Sequence, residues 1–303
     1  LSRDMQRAQQ WAVTEMKRIG LMNTAIEPFM DYGVSWDNEY FSLHMLEPDY
    51  QPMVGYPLAN TPGTNGVQRV PVVIVDAQTQ QDLERYRGKL QGFGVLSTPP
   101  ATIDLTRFSR GVTRWTDEQL RELEELAPAE APRPSPTPRN SDVLSAVDQI
   151  AFFRSEGAVI VFESRSGWPG AVRGFARPGT KVDNWSREGN LNSLPIVAVN
   201  PEHYNRMYRI LEREIPVIIE VEIRNQIGDV VEQASNVLGE IPGSDLADEV
   251  VMLGAHFDTW HASPNASDNT SGVAVMLEAV RILKTVGVEP RRTIRVALWA
   301  GEE

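Results

Sequence analysis

Near the start of the chain, apolar residues fall at Met5, Ala8, Ala12, Met16 and Ile19. That spacing lines one face of a helix, and Gly20 stands where such a helix would stop. An alternating run over 40–46 reads as a strand, after which Pro48, Pro52 and Pro57 break regular structure. From Gly63 to Arg224 the pattern changes to short apolar runs between turn residues, and 71–75, 93–96, 158–162, 195–199 and 217–223 read as strands. Two helices punctuate them. One, over 117–126, is short and acidic, with Thr116 as its N-cap. The other, over 202–213, puts Tyr204, Met207, Tyr208 and Leu211 on one stripe, a pattern of core packing rather than of an aromatic binding box. The proline-rich segment 127–139 reads as an exposed extended loop, with a polyproline ligand as the alternative.

A third texture begins at Asn236. Residues 236–241 read as a strand ended by Pro242 and Gly243, and 249–255 is a continuous Val/Leu-rich run of the kind expected for a strand buried on both faces. Helical spacing follows at Val273, Met276, Leu277, Val280 and Leu283, closed by Gly287, and then a second strand over 293–300. Strand, helix, strand is a βαβ unit, so the two strands are expected to be parallel with a right-handed crossover.

Composition narrows the function classes. The 303 residues suffice for about two domains. A net charge of −12 argues against a general binder of nucleic acid or anionic membranes. The sequence has no apolar run long enough for a membrane-spanning helix, and its lack of cysteine excludes disulfides, thiolate metal sites and thiol nucleophiles. HExxH, Walker A, GxSxG and GxGxxG motifs are all missing, so zincin, NTPase, serine-hydrolase and dinucleotide readings lack their starting residues.

The chemistry gathers at the ends of the two strands of the βαβ unit. In open parallel sheets ligands bind beyond the carboxyl ends of the strands. The first strand runs into His256-Phe257-Asp258, the second into Gly301-Glu302-Glu303, and Asp268-Asn269 precedes the helix between them. One imidazole and several carboxylates at one sheet edge suit a divalent metal such as zinc. Asp258, two residues beyond His256, is placed to accept the second ring N–H and orient the imidazole. The bland alternatives are a helix-capping role for Asp268 and a solvated acidic pair for Glu302 and Glu303. His261 reads as a loop or substrate-side residue, and His44 and His203 as structural. Asn184, Asn265 and Asn269 match the short glycosylation pattern, which arises often by chance.

The stretch from Val250 to Glu303, VVMLGAHFDTWHASPNASDNTSGVAVMLEAVRIL followed by RRTIRVALWAGEE, resembles the co-catalytic zinc aminopeptidases of peptidase family M28. The HFD, SDN and GEE motifs occur in the family's order, although the turn before Asp268 lacks the glycine expected near Asn265. The middle region resembles the protease-associated (PA) domain that many such peptidases carry as an insertion. The resemblance implies an α/β fold with a mixed, largely parallel sheet and flanking helices, interrupted by a strand-rich α+β PA domain. Residues 1–58 would be the N-terminal part of the peptidase domain, 59–225 the PA insertion, and 226–303 the half of the peptidase domain that holds the metal site.

Carried over by residue, the resemblance implies two zinc ions: His256 on one, Asp268 bridging both, Glu303 on the second, Glu302 as general base and Asp258 as partner to the His256 ring. It implies a peptide substrate, hydrolysis by an exopeptidase that is more an aminopeptidase than a carboxypeptidase or dipeptidase, and a secreted or periplasmic location. The rival reading is a non-catalytic binding protein of peptidase-like fold. Because the family supplies a further Asp and His downstream, the sequence is expected to be a fragment, with each zinc one protein ligand short, weak metal binding and little activity. Oligomeric state is not readable.

Overall fold

The computed structural model describes residues 2–103, 114–125, 144–165, 171–172, 174–179, 182–183, 185–263 and 266–303. The proline-rich segment 127–139, Leu126, Asn184 and Asn265 lie outside them. Helix α1 (Arg3–Ile19) starts at Ser2, whose side chain accepts the Met5 N–H, and ends at left-handed Gly20 as its spacing predicts. Its apolar stripe buries Ala12 and Met16 completely, and a fully buried Met side chain contributes roughly 1.5–3 kcal/mol.

The chain then forms β1 (Met22–Glu47), β2 (Gln51–Pro52), β3 (Gly55–Pro57), β4 (Gln68–Ile74), α2 (Gln80–Glu84), β5 (Gly94–Leu96), α3 (Asp117–Glu125), α4 (Ala146–Ser155), β6 (Ile160–Glu163), α5 (Arg187–Leu191), β7 (Ile196–Val199), α6 (Pro201–Leu211), β8 (Ile218–Ile241), β9 (Leu246–His256), α7 (Gly272–Thr285) and β10 (Arg292–Trp299). The architecture is mixed α/β, in the strand order β2-β1-β8-β4-β5-β6-β7-β3, with β10 on β8 and β9 on β10. Strands β4 to β7 run parallel and are joined to β8 through an antiparallel β4–β8 contact.

The antiparallel β1–β8 ladder ties the regions together. The start of β8 pairs with β4, from Gln68↔Val221 to Pro71↔Ile218. Its end pairs with β10, from Ile294↔Ile241 to Leu298↔Val237. The sequence pattern predicts separate strands over 217–223 and 236–241, and only 40–46 of β1; the structure joins 218–241 into one strand and extends β1 back to Met22. The intervening residues lack apolar alternation because much of their surface faces solvent, and backbone pairing through several bulges holds them instead.

Three buried clusters result. Two lie on the faces of the β4–β7 layer, one containing Phe162, Tyr204, Met207 and Val221, the other Leu83, Phe153, Val161 and Ile196. Tyr204 and Met207 are thus core residues, as their helical stripe predicts. The third cluster joins Met16 of α1, Val237 of β8, Val273, Leu277 and Val280 of α7, and Val296 and Leu298 of β10. It is the platform beneath the site.

The βαβ unit forms as expected, with β9 and β10 parallel and in register from Thr293↔Val250 to Trp299↔His256. Burial of β9 on both faces is not found. Val250, Val251 and Met252 are 43%, 49% and 51% exposed, and among the described residues β9 pairs with β10 alone.

Candidate metal centre

The parallel register sets His256 beside Trp299, so both chains leave the sheet at one edge, and the Phe257 N–H donates to the Trp299 carbonyl at 2.6 Å. Between them Ala266–Ser271 coils irregularly into α7. There the Asn269 side-chain oxygen accepts the Gly272 N–H at 3.1 Å, and the Ser271 hydroxyl donates to the Ser267 carbonyl at 2.7 Å. Gly272 leaves room for this turn, since a Cβ there would collide with the Asn269 amide and crowd Ala255. On the other arm Gly301 adopts φ +93°, turning the chain so that Glu302 and Glu303 come back over the strand ends.

These turns gather the expected side chains. His256 Nε2 lies 3.0 Å from Asp268 Oδ1 and 3.9 Å from Glu302 Oε2. One ligand atom each from His256, Asp268 and Glu303 lies within 4.8 Å of the others. The His256 side chain is only 12% exposed, whereas those of Asp268 and Glu302 are 75% and 61% exposed, so a fixed imidazole faces an open acidic mouth. On the other side of the ring, Nδ1 lies 3.2 Å from the Asp258 backbone carbonyl and 3.5 Å from its carboxylate Oδ1. The expected Asp258 contact is therefore present in two parts, with the carbonyl the nearer.

The charges in this cluster are poorly balanced. Partial burial works against protonation of His256, but the Asp258 carbonyl, the Asp268 carboxylate and the charges of Asp258 and Glu302 outweigh it and raise the ring above its ordinary pKa. Partial desolvation, reinforced by the negative charges of Asp268 and Glu302, raises the Glu303 carboxyl above its usual range. Asp258 Oδ2 accepts the Glu303 N–H at 3.0 Å, while its buried Oδ1 has no hydrogen-bond partner. The carboxylates of Asp268 and Glu303 and an imidazole whose Nε2 faces them make a donor set that fits a divalent cation of the zinc type.

The remaining histidines lie elsewhere. His261 packs its ring against Trp36 and Tyr56 at centroid distances of 5.0 and 5.2 Å, its Nε2 lies 2.9 Å from the Pro57 carbonyl, and burial lowers its pKa. His44 stacks on Tyr50, and His203 Nδ1 accepts the Val54 N–H. Trp260 meets Phe175 edge-on at 4.8 Å. The loop after β9 is thereby pinned to β1, β3 and the segment around Phe175. Two contacts escaped the sequence pattern: the Asn269 cap, and Asn236 Oδ1, which accepts the Ala300 N–H at 3.0 Å from 64 residues away. The adjacency of Asn269 to Asp268 was the available signal for the first, and the second has none.

Residues 236–303 match the model of Peptidase family M28. Carboxypeptidase Q of Xenopus laevis is 27% identical over 158 residues, spanning 50% of this chain and 32% of that protein. Aminopeptidase NAALADL1 of Rattus norvegicus is 38% identical over 96 residues, 30% of this chain and 12% of that protein. The chain thus spans about a third or less of these curated relatives. The fold is similar to that of a peptidase M28 precursor from Shewanella amazonensis SB2B, with a TM-score of 0.63 at 22% identity, covering 100% of this chain and 60% of that one. It is also similar to BSAP, a zinc aminopeptidase from Bacillus subtilis, with a TM-score of 0.54 at 16% identity over 99% of this chain and 56% of that one.

Proposed function

We propose that this chain carries the metal centre of a zinc-dependent exopeptidase. The observation that carries the reading is the His256–Asp268–Glu303 cluster, with the Glu302 carboxylate 3.9 Å from the same imidazole nitrogen. In this reading His256, Asp268 and Glu303 would together hold two zinc ions, and residues 59–225 form a PA insertion between the two parts of the peptidase domain. Bound zinc supplies Lewis acidity, which lowers the pKa of water and polarises a peptide carbonyl.

The chain's own groups do the rest. Asp258 orients the His256 ring through Nδ1 and keeps Nε2 directed at the acidic mouth. Glu302, open to solvent, takes the proton from the attacking water and returns it to the leaving amine. Peptide is the substrate, and a secreted or periplasmic location, checked by cell fractionation, belongs to the same proposal.

Aminopeptidase action is the first reading, supported by the fold shared with a zinc aminopeptidase. Carboxypeptidase action is the second, favoured by the names of the carboxypeptidase Q relatives. The natural full-length protein is assayed for release of a chromogenic amine from aminoacyl anilides and for cleavage of N-blocked dipeptides, each with and without chelator. Chelator-sensitive release from the anilides is expected. Cleavage of the blocked dipeptides alone would turn the reading to a carboxypeptidase, and no chelator-sensitive cleavage of either would favour a peptidase-like binding protein.

A further inference from the structure

We propose that Asn236 is a positioning residue for Glu302 and Glu303, fixing the turn that carries them; the inference rests on the metallopeptidase reading above. The β10–β8 ladder has its last register pair at Leu298↔Val237, and β10 pairs with β9 no further than Trp299↔His256. The next residue, Ala300, has passed the end of both ladders. Its N–H is taken up by a side chain, at 3.0 Å from Asn236 Oδ1.

The backbone behind Asn236 is itself held. Its neighbour Ser235 lies opposite Pro28 of β1, which has no N–H to offer. Gln9 of α1, 6% exposed, donates its side-chain amide to the Ser235 carbonyl at 3.0 Å instead. The acceptor for Ala300 is therefore mounted on a strand secured from a third element.

One residue on, Gly301 turns the chain, and the Glu303 N–H donates to Asp258 Oδ2 at 3.0 Å. The four-residue turn is fixed at both ends, by Asn236 at its start and by the aspartate that faces His256 at its finish. An amide suits the first position because it accepts the N–H without adding charge beside Asp258, Asp268, Glu302 and Glu303.

The test compares Asn236→Ala with Asn236→Asp, which keeps a side-chain acceptor, in the full-length protein. Amide hydrogen exchange at Ala300, measured without metal, is expected to quicken about tenfold or more in the alanine variant and to return towards the parent rate in the aspartate variant. In the zinc-loaded alanine variant, kcat is expected to fall about tenfold or more with KM little changed, as for other residues that orient metal-site groups. Unchanged exchange in the alanine variant, or a loss confined to thermal stability with kcat intact, would overturn the assignment. A parent protein without chelator-sensitive activity would instead refute the metallopeptidase reading, while the exchange measurement still decides whether Asn236 holds the turn.

Discussion

The two nitrogens of His256 meet different surroundings, and that asymmetry makes the residue suited to a metal. Nδ1 faces Asp258 at 3.2 Å from the carbonyl and 3.5 Å from the carboxylate, while Nε2 faces Asp268 and Glu302. An imidazole held through one nitrogen presents the other with fixed direction. Replacing Asp258→Asn is expected to weaken zinc binding about 10–100-fold, measured by competition with a chromophoric chelator. Unchanged affinity would mean that the backbone carbonyl alone orients the ring. His256, Asp268, Glu302 and Glu303 were legible in the sequence because each ends or begins a strongly patterned element. Asn236 was not, because a hydrogen bond across 64 residues leaves no periodic trace.

At the scale of elements, the site depends on a short parallel strand pair and on a loop pinned by aromatic rings. Leu298 of β10 is fully buried in the cluster shared with α1 and α7. Truncation by Leu298→Ala is expected to cost about 2–5 kcal/mol, read from the denaturant midpoint, and a loss well under about 1 kcal/mol would contradict the packing described.

The loop after β9 offers a different handle in His261, whose half-buried ring packs against Trp36 and Tyr56 and whose pKa is lowered by desolvation. The unfolded chain binds this proton more readily than the folded one. The contribution of neutral His261 is therefore complete above the ordinary histidine value of about 6.5 and is lost as pH falls through the lower folded value. His261→Gln keeps an N–H for the Pro57 carbonyl but cannot titrate. Its stability is expected to fall less steeply than the parent's between about pH 6.5 and 5, and parallel curves in that interval would contradict a half-buried neutral ring. The sequence pattern located the strand, helix and strand of this unit within a few residues. The burial expected for β9 is not met among the described residues, where β9 pairs with β10 alone.

Across the whole molecule, the β1–β8 ladder is the feature that the pattern concealed most. Its apolar ends were visible as separate strands, whereas the polar middle joins them through backbone pairing that composition does not record. The ladder connects the β4–β7 layer to the sheet edge where the four carboxylates and His256 meet.

The most direct measurement of the metallopeptidase reading pairs zinc content with turnover in the full-length parent and in Glu302→Gln. The substitution removes the proposed base and leaves His256, Asp268 and Glu303 in place. Zinc content should match the parent, and kcat should fall about 10²–10⁴-fold. Turnover equal to the parent's, or a parent that binds no zinc, would contradict it.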